Sequence, residues 1–459
     1  MKTDTSALPA TYKMRQMLEI SRYKTMDSVH KAITFIKKYA AKEVINAYFT
    51  ADYYYKLNNI DTAEYYLNMC DSTKCVQDKI FDKVKKHRTQ LQHYILLRPK
   101  QIPINIKILD KSNIENDLLS PLVAPFNDKI YYSTFESKSD VSAMYMAAMS
   151  NNGIQNPEKI PYPVNNHENN AILCISADEH MAVILRTDPY TGEEDMYTAE
   201  KTVDTWHTPV KMGFNINSPY RETSACLSVD KKTIYFTSDR KGGFGGLDIY
   251  VSQRNKHGVW GHAVNLGNAV NTVDDEETPF LYYDDSTLYF SSRGHNSVGG
   301  YDIFYTKKYK NNWQTAQNLG VPYNSTNDDV NFTCSMDMKV QYLNSKRETP
   351  FATRINTYML NSNIDTSKLV CVKGYVVQPQ KEIQTKTDIT ISNLDKSLVQ
   401  SIQSNAGTGY YLGIMTKNDI YSIIFEKNGQ IIRETISCSA GSKIQIIELN
   451  IEFDASSEE

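Results

Sequence analysis

Ser238-Asp239-Arg240-Lys241-Gly242-Gly243-Phe244-Gly245-Gly246-Leu247-Asp248-Ile249-Tyr250 returns further along the chain as Ser292-Arg293-Gly294-His295-Asn296-Ser297-Val298-Gly299-Gly300-Tyr301-Asp302-Ile303-Phe304. Each copy follows an apolar β run, Thr233-Ile234-Tyr235-Phe236 or Thr287-Leu288-Tyr289-Phe290, and precedes a Trp-bearing segment, Val259-Trp260 or Asn312-Trp313. The unit is several short strands with Gly-rich turns. A period of roughly fifty residues built this way predicts a propeller, in which each small sheet buries its faces against its neighbours.

Three weaker copies extend the array. Cys174-Ile175-Ser176-Ala177-Asp178, Val183 to Arg186 and Asp195-Met196-Tyr197 keep the order inner strand, turn Asp, second strand, third strand. Asn127 to Ser133 with Ala143 to Tyr145 form another copy, and Asp337 to Ser345 with Asn356 to Tyr358 a last one. The last copy has no outer strand, whereas Ile104 to Leu109 has no blade. The expectation is five blades, six if a degenerate copy is present, with the early strand completing the final blade. Closure of that kind removes open sheet edges.

The 459-residue length predicts more than one domain. The expected division is a helical region over 1–96, the propeller over 97–366 and a small β-sandwich over 367–459. Within 10–95 a helical period predicts helices near Thr11 to Tyr39 and Lys74 to His93, flanking Ala51, Tyr54, Asn58, Ile60, Ala63, Leu67 and Cys70. The last set is similar to a tetratricopeptide repeat, with small residues where two helices touch; a generic helical bundle is the alternative. In the third region Val370 to Val377, Thr387 to Ser392, Gly409 to Ile414 and Ile420 to Gly429 alternate like strands.

A net charge of −3 with no concentrated basic surface argues against nucleic acid as a partner. No stretch approaches the roughly 20 apolar residues of a membrane span. The 32 tyrosines fall mostly in strand-like runs, where an amphipathic ring suits a half-buried position. Of seven cysteines, Cys174, Cys226 and Cys334 read as buried inner-strand thiols, and Cys70 with Cys75 or Cys371 with Cys438 are unproven pairs. No cofactor or metal is expected.

Charges recur once per blade on one rim. Asp274, Asp275, Glu276, Glu277, Asp328, Asp329, Glu222 and Glu168 precede inner strands; Arg186, Arg240, Arg293 and Lys346-Arg347 follow second strands. They predict pairing from blade to blade, or else a rim that holds a cation or a basic peptide, for which Asp274, Asp275, Glu276, Glu277, Asp328 and Asp329 are the candidates. Asp195, Asp248 and Asp302 open third strands and are expected to accept from the preceding turn. Gly242, Gly243, Gly245, Gly246, Gly299 and Gly300 permit positive φ and close chain approach. A phosphate cradle is not expected, because no helix and no Gly-Lys-Ser/Thr ending follow.

Strands ending in Ser-Asp-Arg, a Gly-Gly-Phe-Gly-Gly loop and Leu-Asp-Ile-Tyr closely resemble the TolB-type propeller repeat. The third region, with its G-x-V, G-x-Y-x-L and Asn-Gly order, resembles a carboxypeptidase regulatory-like domain. Together with the tetratricopeptide-like helices, the arrangement resembles the PorE-type proteins of Bacteroidetes. That resemblance implies a periplasmic, outer-membrane-associated lipoprotein whose partners are envelope proteins of a type IX secretion or gliding complex. The sequence shows neither an acylated Cys nor an OmpA-like domain, which leaves anchoring and peptidoglycan binding open. Inner strands such as Cys226 to Val229 read as packing, the nine His residues do not cluster, and no G-x-S-x-G or H-E-x-x-H occurs. The expectation is therefore a non-catalytic protein-binding scaffold; the alternative is a soluble sensor capturing a peptide, glycan or calcium ion.

Overall fold

The computed structural model describes residues 44–70, 80–98, 104–110, 114, 117–136, 141–150, 153–166, 169–188, 190–347, 355–361, 368–379, 381, 384, 386–417, 419–438 and 444–454. The helix expected over Thr11 to Tyr39, Cys75 and Glu168 lie outside them. The fold is mostly β: five antiparallel sheets, each with four strands along its main path, form a propeller-like ring, and two further sheets follow. The inner strands of the five are Leu119–Val123, Asn170–Ile175, Glu222–Leu227, Glu276–Leu281 and Asp329–Cys334. Each touches the inner strand of the next sheet, and the fifth touches the first.

The fifth sheet is completed by the early strand. Asn105–Ile108 runs antiparallel to Asn356–Asn361, with Asn105 opposite Asn361 and Ile108 opposite Tyr358. This strand precedes the first sheet in the chain, so its pairing with the last one joins the two ends of the ring. Between sheets the core is aromatic and aliphatic: Phe236, Ile249, Leu288, Phe290 and Phe304 are wholly buried in one continuous cluster. Each such side chain contributes about 2–3 kcal/mol through area removed from water.

The Trp segments sit differently from the sequence expectation. Arg254 bridges to Trp260, and Asn312–Trp313 pairs with the far end of the third strand. The true outer strands are the two-residue pieces that follow, Val264–Asn265 and Gln317–Asn318. Trp is thus part of a hairpin extension, not of the sheet's outer edge.

Helices α1 (Val44–Lys56), α2 (Ile60–Asn68) and α3 (Ile80–Leu97) bury Ala51, Tyr55, Ile60, Ala63, Leu67, Cys70 and Leu91 together. Asn58 takes the left-handed conformation at the α1–α2 turn, and the Asn59 side chain accepts from Thr62 N to cap α2. The helices dock on the ring face that carries the Gly loops. Tyr55 donates its hydroxyl to Val298 O at 2.6 Å, Gln90 donates to Gly299 O, and Asn327 donates to Lys56 O at 2.9 Å.

The opposite face meets the C-terminal strands. Leu369, Cys371, Leu412 and Ile414 share a core with Val229, Tyr282, Tyr283 and Met336 from the turns of the ring. The two C-terminal sheets have the strand orders Tyr410–Thr416, Leu369–Val377, Gln445–Glu448 and Leu398–Gln403, Asp388–Asn393, Ile420–Lys427, Gln430–Ser437. Cys371 and Cys438 are buried free thiols, not a bridge.

Candidate functional site

Sequence places an Asn five residues before the first residue of four inner strands, at Asn165, Asn217, Asn271 and Asn324. All four are buried. Asn271 accepts from Ile249 N at 2.8 Å and donates to Ile249 O at 2.9 Å; Asn324 does the same with Ile303, and Asn217 with Met196. Each Asn side chain thereby satisfies the backbone N–H near the start of a third strand and shares its C=O with an N–H of the outer segment, from Leu266, Leu319 or Met212. This repeated clamp went unread in the sequence. Its signal is Asn before Ser, Thr or Asn, five residues ahead of a strand.

The residue after this Asn binds the acid that opens the inner strand. Ser218, Thr272 and Ser325 donate both backbone N–H and hydroxyl to Glu222, Glu276 and Asp329. Arg240 and Arg347 then reach the same carboxylates at 3.0 Å and 2.6 Å while donating to the backbone carbonyls of Ile216 and Tyr323. Arg186 makes the corresponding bonds to Asn170 and Val164.

The fourth sheet departs from this pattern. Its equivalent of Arg240 is Gly294, not Arg293, and His295 Nε2 donates to Val270 O at 2.8 Å in the place of the guanidinium. Glu276 is therefore wholly buried with no paired cation among the described residues, and burial pushes its carboxyl up to about 7. Arg293 lies over the Tyr301 ring and faces Asp275 and Asp328 at 4.0 and 3.7 Å. It is a rim residue bridging neighbouring sheets.

None of the six candidate rim acids forms an open cation site. Glu276 and Asp329 are buried, Asp274 pairs with Lys86 of α3 at 3.1 Å, and Asp275 and Asp328 accept from Leu247 N and Tyr301 N. Burial, with the neighbouring Asp275 charge, raises the pKa of Glu277. Among the described residues no three His, Cys, Asp or Glu come together to hold a metal ion. The rim is instead where the ring meets the chain's own helices.

The Gly loops lie close against the acidic turn that enters the next sheet. A Cβ on Gly245 or Gly299 would run into the carbonyl of Asp274 or Asn327, and one on Gly246 or Gly300 into the Asp275 or Asp328 carboxylate. Of the six loop glycines singled out by sequence, Gly242 alone has positive φ; a Cβ on Gly243 would meet Asp248. Asp248 accepts from Phe244 N and Gly245 N, and Asp302 from Val298 N and Gly299 N. Burial pushes Asp302 up to about 8. Asp195 differs: no Gly loop precedes it, and it pairs with Lys211.

Inside the ring, all five inner strands break register near their start. At three of these bulges Ser120, Thr278 and Asn331 adopt positive φ. Thr278 N donates to Ser224 Oγ at 3.0 Å, and Asn331 N to Thr278 Oγ1 at 3.3 Å, so hydroxyls link one sheet to the next. Below them lies a cavity of about 70 Å³ whose lining includes Ser120, Cys174, Ser224, Cys226, Thr278 and Asn331, and no charged residue. Burial pushes the Cys174 thiol up to about 12, so it remains protonated.

No protein-family model and no curated protein sequence matches the chain. Solved structures do match. An α-L-arabinofuranosidase from Podospora anserina is similar at 11% identity and TM-score 0.36, covering 56% of this chain and 94% of that one. An α-L-arabinanase from Penicillium chrysogenum matches at 11% identity and TM-score 0.35, covering 53% and 93%. A thermostable family-43 glycoside hydrolase matches at 10% identity and TM-score 0.37, covering 72% and 96%. The expectation of a non-catalytic protein is corrected here, because the structures it resembles are glycoside hydrolases and the fold does not set it apart from enzymes. At these values the likeness identifies no activity for this chain.

Proposed function

We propose that this protein is a ligand-binding propeller-like protein whose central cavity takes an uncharged, hydroxyl-bearing group of a glycan or peptide. The observation that carries this reading is the lining: hydroxyl and amide groups at the inner-strand bulges above an uncharged cavity. An uncharged pocket, mainly apolar with a few hydroxyl and amide groups, favours partners that bury apolar surface and exchange a few hydrogen bonds over ions. Calorimetry with neutral oligosaccharides and short peptides tests it. Binding should weaken about tenfold or more, a loss of roughly 1.4 kcal/mol, in Thr278→Val. Saturable binding unchanged in that variant, or none by the native chain, would contradict it; product analysis of the same mixtures reports any turnover.

Val370, Tyr411 and Met415 share a core with Ile389, Ile391, Ile423 and Phe425 of the other C-terminal sheet, which supports a carboxypeptidase regulatory-like sandwich. The burial of Ala51, Ile60, Ala63, Leu67 and Cys70 supports a tetratricopeptide-like hairpin. With the Gly-loop repeat, that order supports a PorE-type place at the periplasmic side of the outer membrane, beside secretion or motility proteins. Affinity capture from an envelope extract should then recover outer-membrane machinery; recovery of cytoplasmic proteins alone would argue against it.

A further inference from the structure

A second cavity, of about 500 Å³, opens between the ring and the C-terminal strands. Its size falls within the range of small-molecule sites, roughly 300–1,000 Å³. Six cationic side chains line it: Lys201, Lys231, Lys232, Arg254, Lys256 and Lys386. Three carboxylates stand among them, Glu200, Asp230 and Asp388. For a chain whose overall charge is −3, this is a local reversal of sign.

Half of these cations are already answered. Lys231 pairs with the buried Asp178, Lys201 lies 3.8 Å from Asp204, and Lys386 lies 3.9 Å from Glu200. Two of the acids are also engaged, Asp388 accepting from Gln403 and Asp230 from Ser228 and the Lys232 backbone. Among the described residues no carboxylate lies within ion-pair distance of Lys232, Arg254 or Lys256. Lys232 donates to Ser401 Oγ at 3.0 Å, and Arg254 donates to Gly258 O while its guanidinium lies over Trp260. Like charges held together at the rim of a low-dielectric cleft raise the local concentration of anions.

The walls are held in place from both sides. Asn405 donates to Lys201 O at 2.7 Å, and the His180 ring packs on Tyr410. Burial lowers the His180 pKa, so near neutral pH the imidazole adds no charge. Ser404, Asn405 and Thr202 supply neutral hydrogen-bonding groups beside the cations.

We propose that this cleft binds a small oligoanion carrying two or more phosphate or carboxylate groups, with Lys232, Arg254 and Lys256 as its principal contacts. The site is separate from the central cavity and stands or falls independently of it. Lysine ammonium groups serve as mobile point charges for such anions, and a salt-dependent affinity follows.

The test is calorimetry on the full chain with tripolyphosphate and with tri-galacturonate, at low and at physiological salt. Binding of either, weakening with salt and about tenfold weaker in Lys232→Glu/Lys256→Glu, supports the proposal. Tripolyphosphate alone assigns phosphate, tri-galacturonate alone assigns carboxylate, and both assign recognition by charge. Lys83→Glu on α3, at the other face, should bind as the native protein does. The proposal is overturned if neither anion binds at low salt, or if the Lys83 variant weakens as much as the cleft variant. Matching thermal melts of the variants show that their folds are intact.

Discussion

Arg347 and Arg293 stand at neighbouring turns and carry the same charge, yet their surroundings assign them different weights. Arg347 is mostly buried, bonded to Asp329 at 2.6 Å and to the carbonyls of Pro322 and Tyr323. Its replacement by Ala leaves the buried Asp329 carboxylate with its Ser325 bonds but no countercharge and should cost about 3–5 kcal/mol in urea denaturation. Arg293→Ala removes part-exposed pairs at 3.7 and 4.0 Å and the Tyr301 stack, a loss of about 1 kcal/mol or less. Glu276 has no Arg, and burial holds its pKa at about 7 against an ordinary 4.5. Between those values the folded state holds more protons than the unfolded chain, so this group's contribution falls as pH rises through the window. Glu276→Gln should therefore flatten the decline in stability between pH 5 and pH 8, by on the order of 1–3 kcal/mol. A decline as steep as the native one would show that Glu276 is not its source. The sequence reading aligned Arg293 with Arg240 because both are cationic; the position that bonds the carboxylate is two residues after the serine, where this sheet has Gly294.

At the scale of the element, the recurring device is an Asn that stands in for missing strand. Outer strands such as Val264–Asn265 are two residues long, and Asn271 pairs the Ile249 N–H that they leave open and adds a second donor to its C=O beside Leu266 N. Asn271→Ala strands the buried Ile249 N–H, while the C=O keeps its bond from Leu266 N, and should destabilise by about 1–3 kcal/mol, read as a lower urea midpoint. Loss below 0.5 kcal/mol would mean water replaces the amide there. The Gly-loop repeat was legible because close approach admits only glycine, and the strands were legible because their apolar runs alternate with turn residues. The Asn clamp was not, since an Asn before Ser or Thr reads as an ordinary turn. Nor was the basic cleft, whose Lys201, Lys232 and Lys386 come from three distant segments, a strand end and two loops, and carry no local signal.

At the scale of the molecule, the ring is covered from both faces by its own chain. The acidic rim meets the helices through Lys86, Gln90 and Tyr55, and the opposite turns meet the C-terminal strands through a shared apolar core. The rim acids that looked like a ligand site from sequence are accounted for by internal contacts, Asp274 with Lys86 of the helices and Asp275, Glu276, Asp328 and Asp329 within the ring, leaving the uncharged central cavity and the cationic cleft as the open chemistry. All of it depends on ring closure by Asn105–Ile108. Asn105 and Asn361 face each other across that pairing at the accessible end of the ladder. Asn105→Cys with Asn361→Cys should form a disulfide on mild oxidation, seen as one cross-linked peptide by mass spectrometry and as a raised melting temperature. An oxidised protein in which these two thiols remain free, or bond only between molecules, would contradict a ring closed by its own first strand.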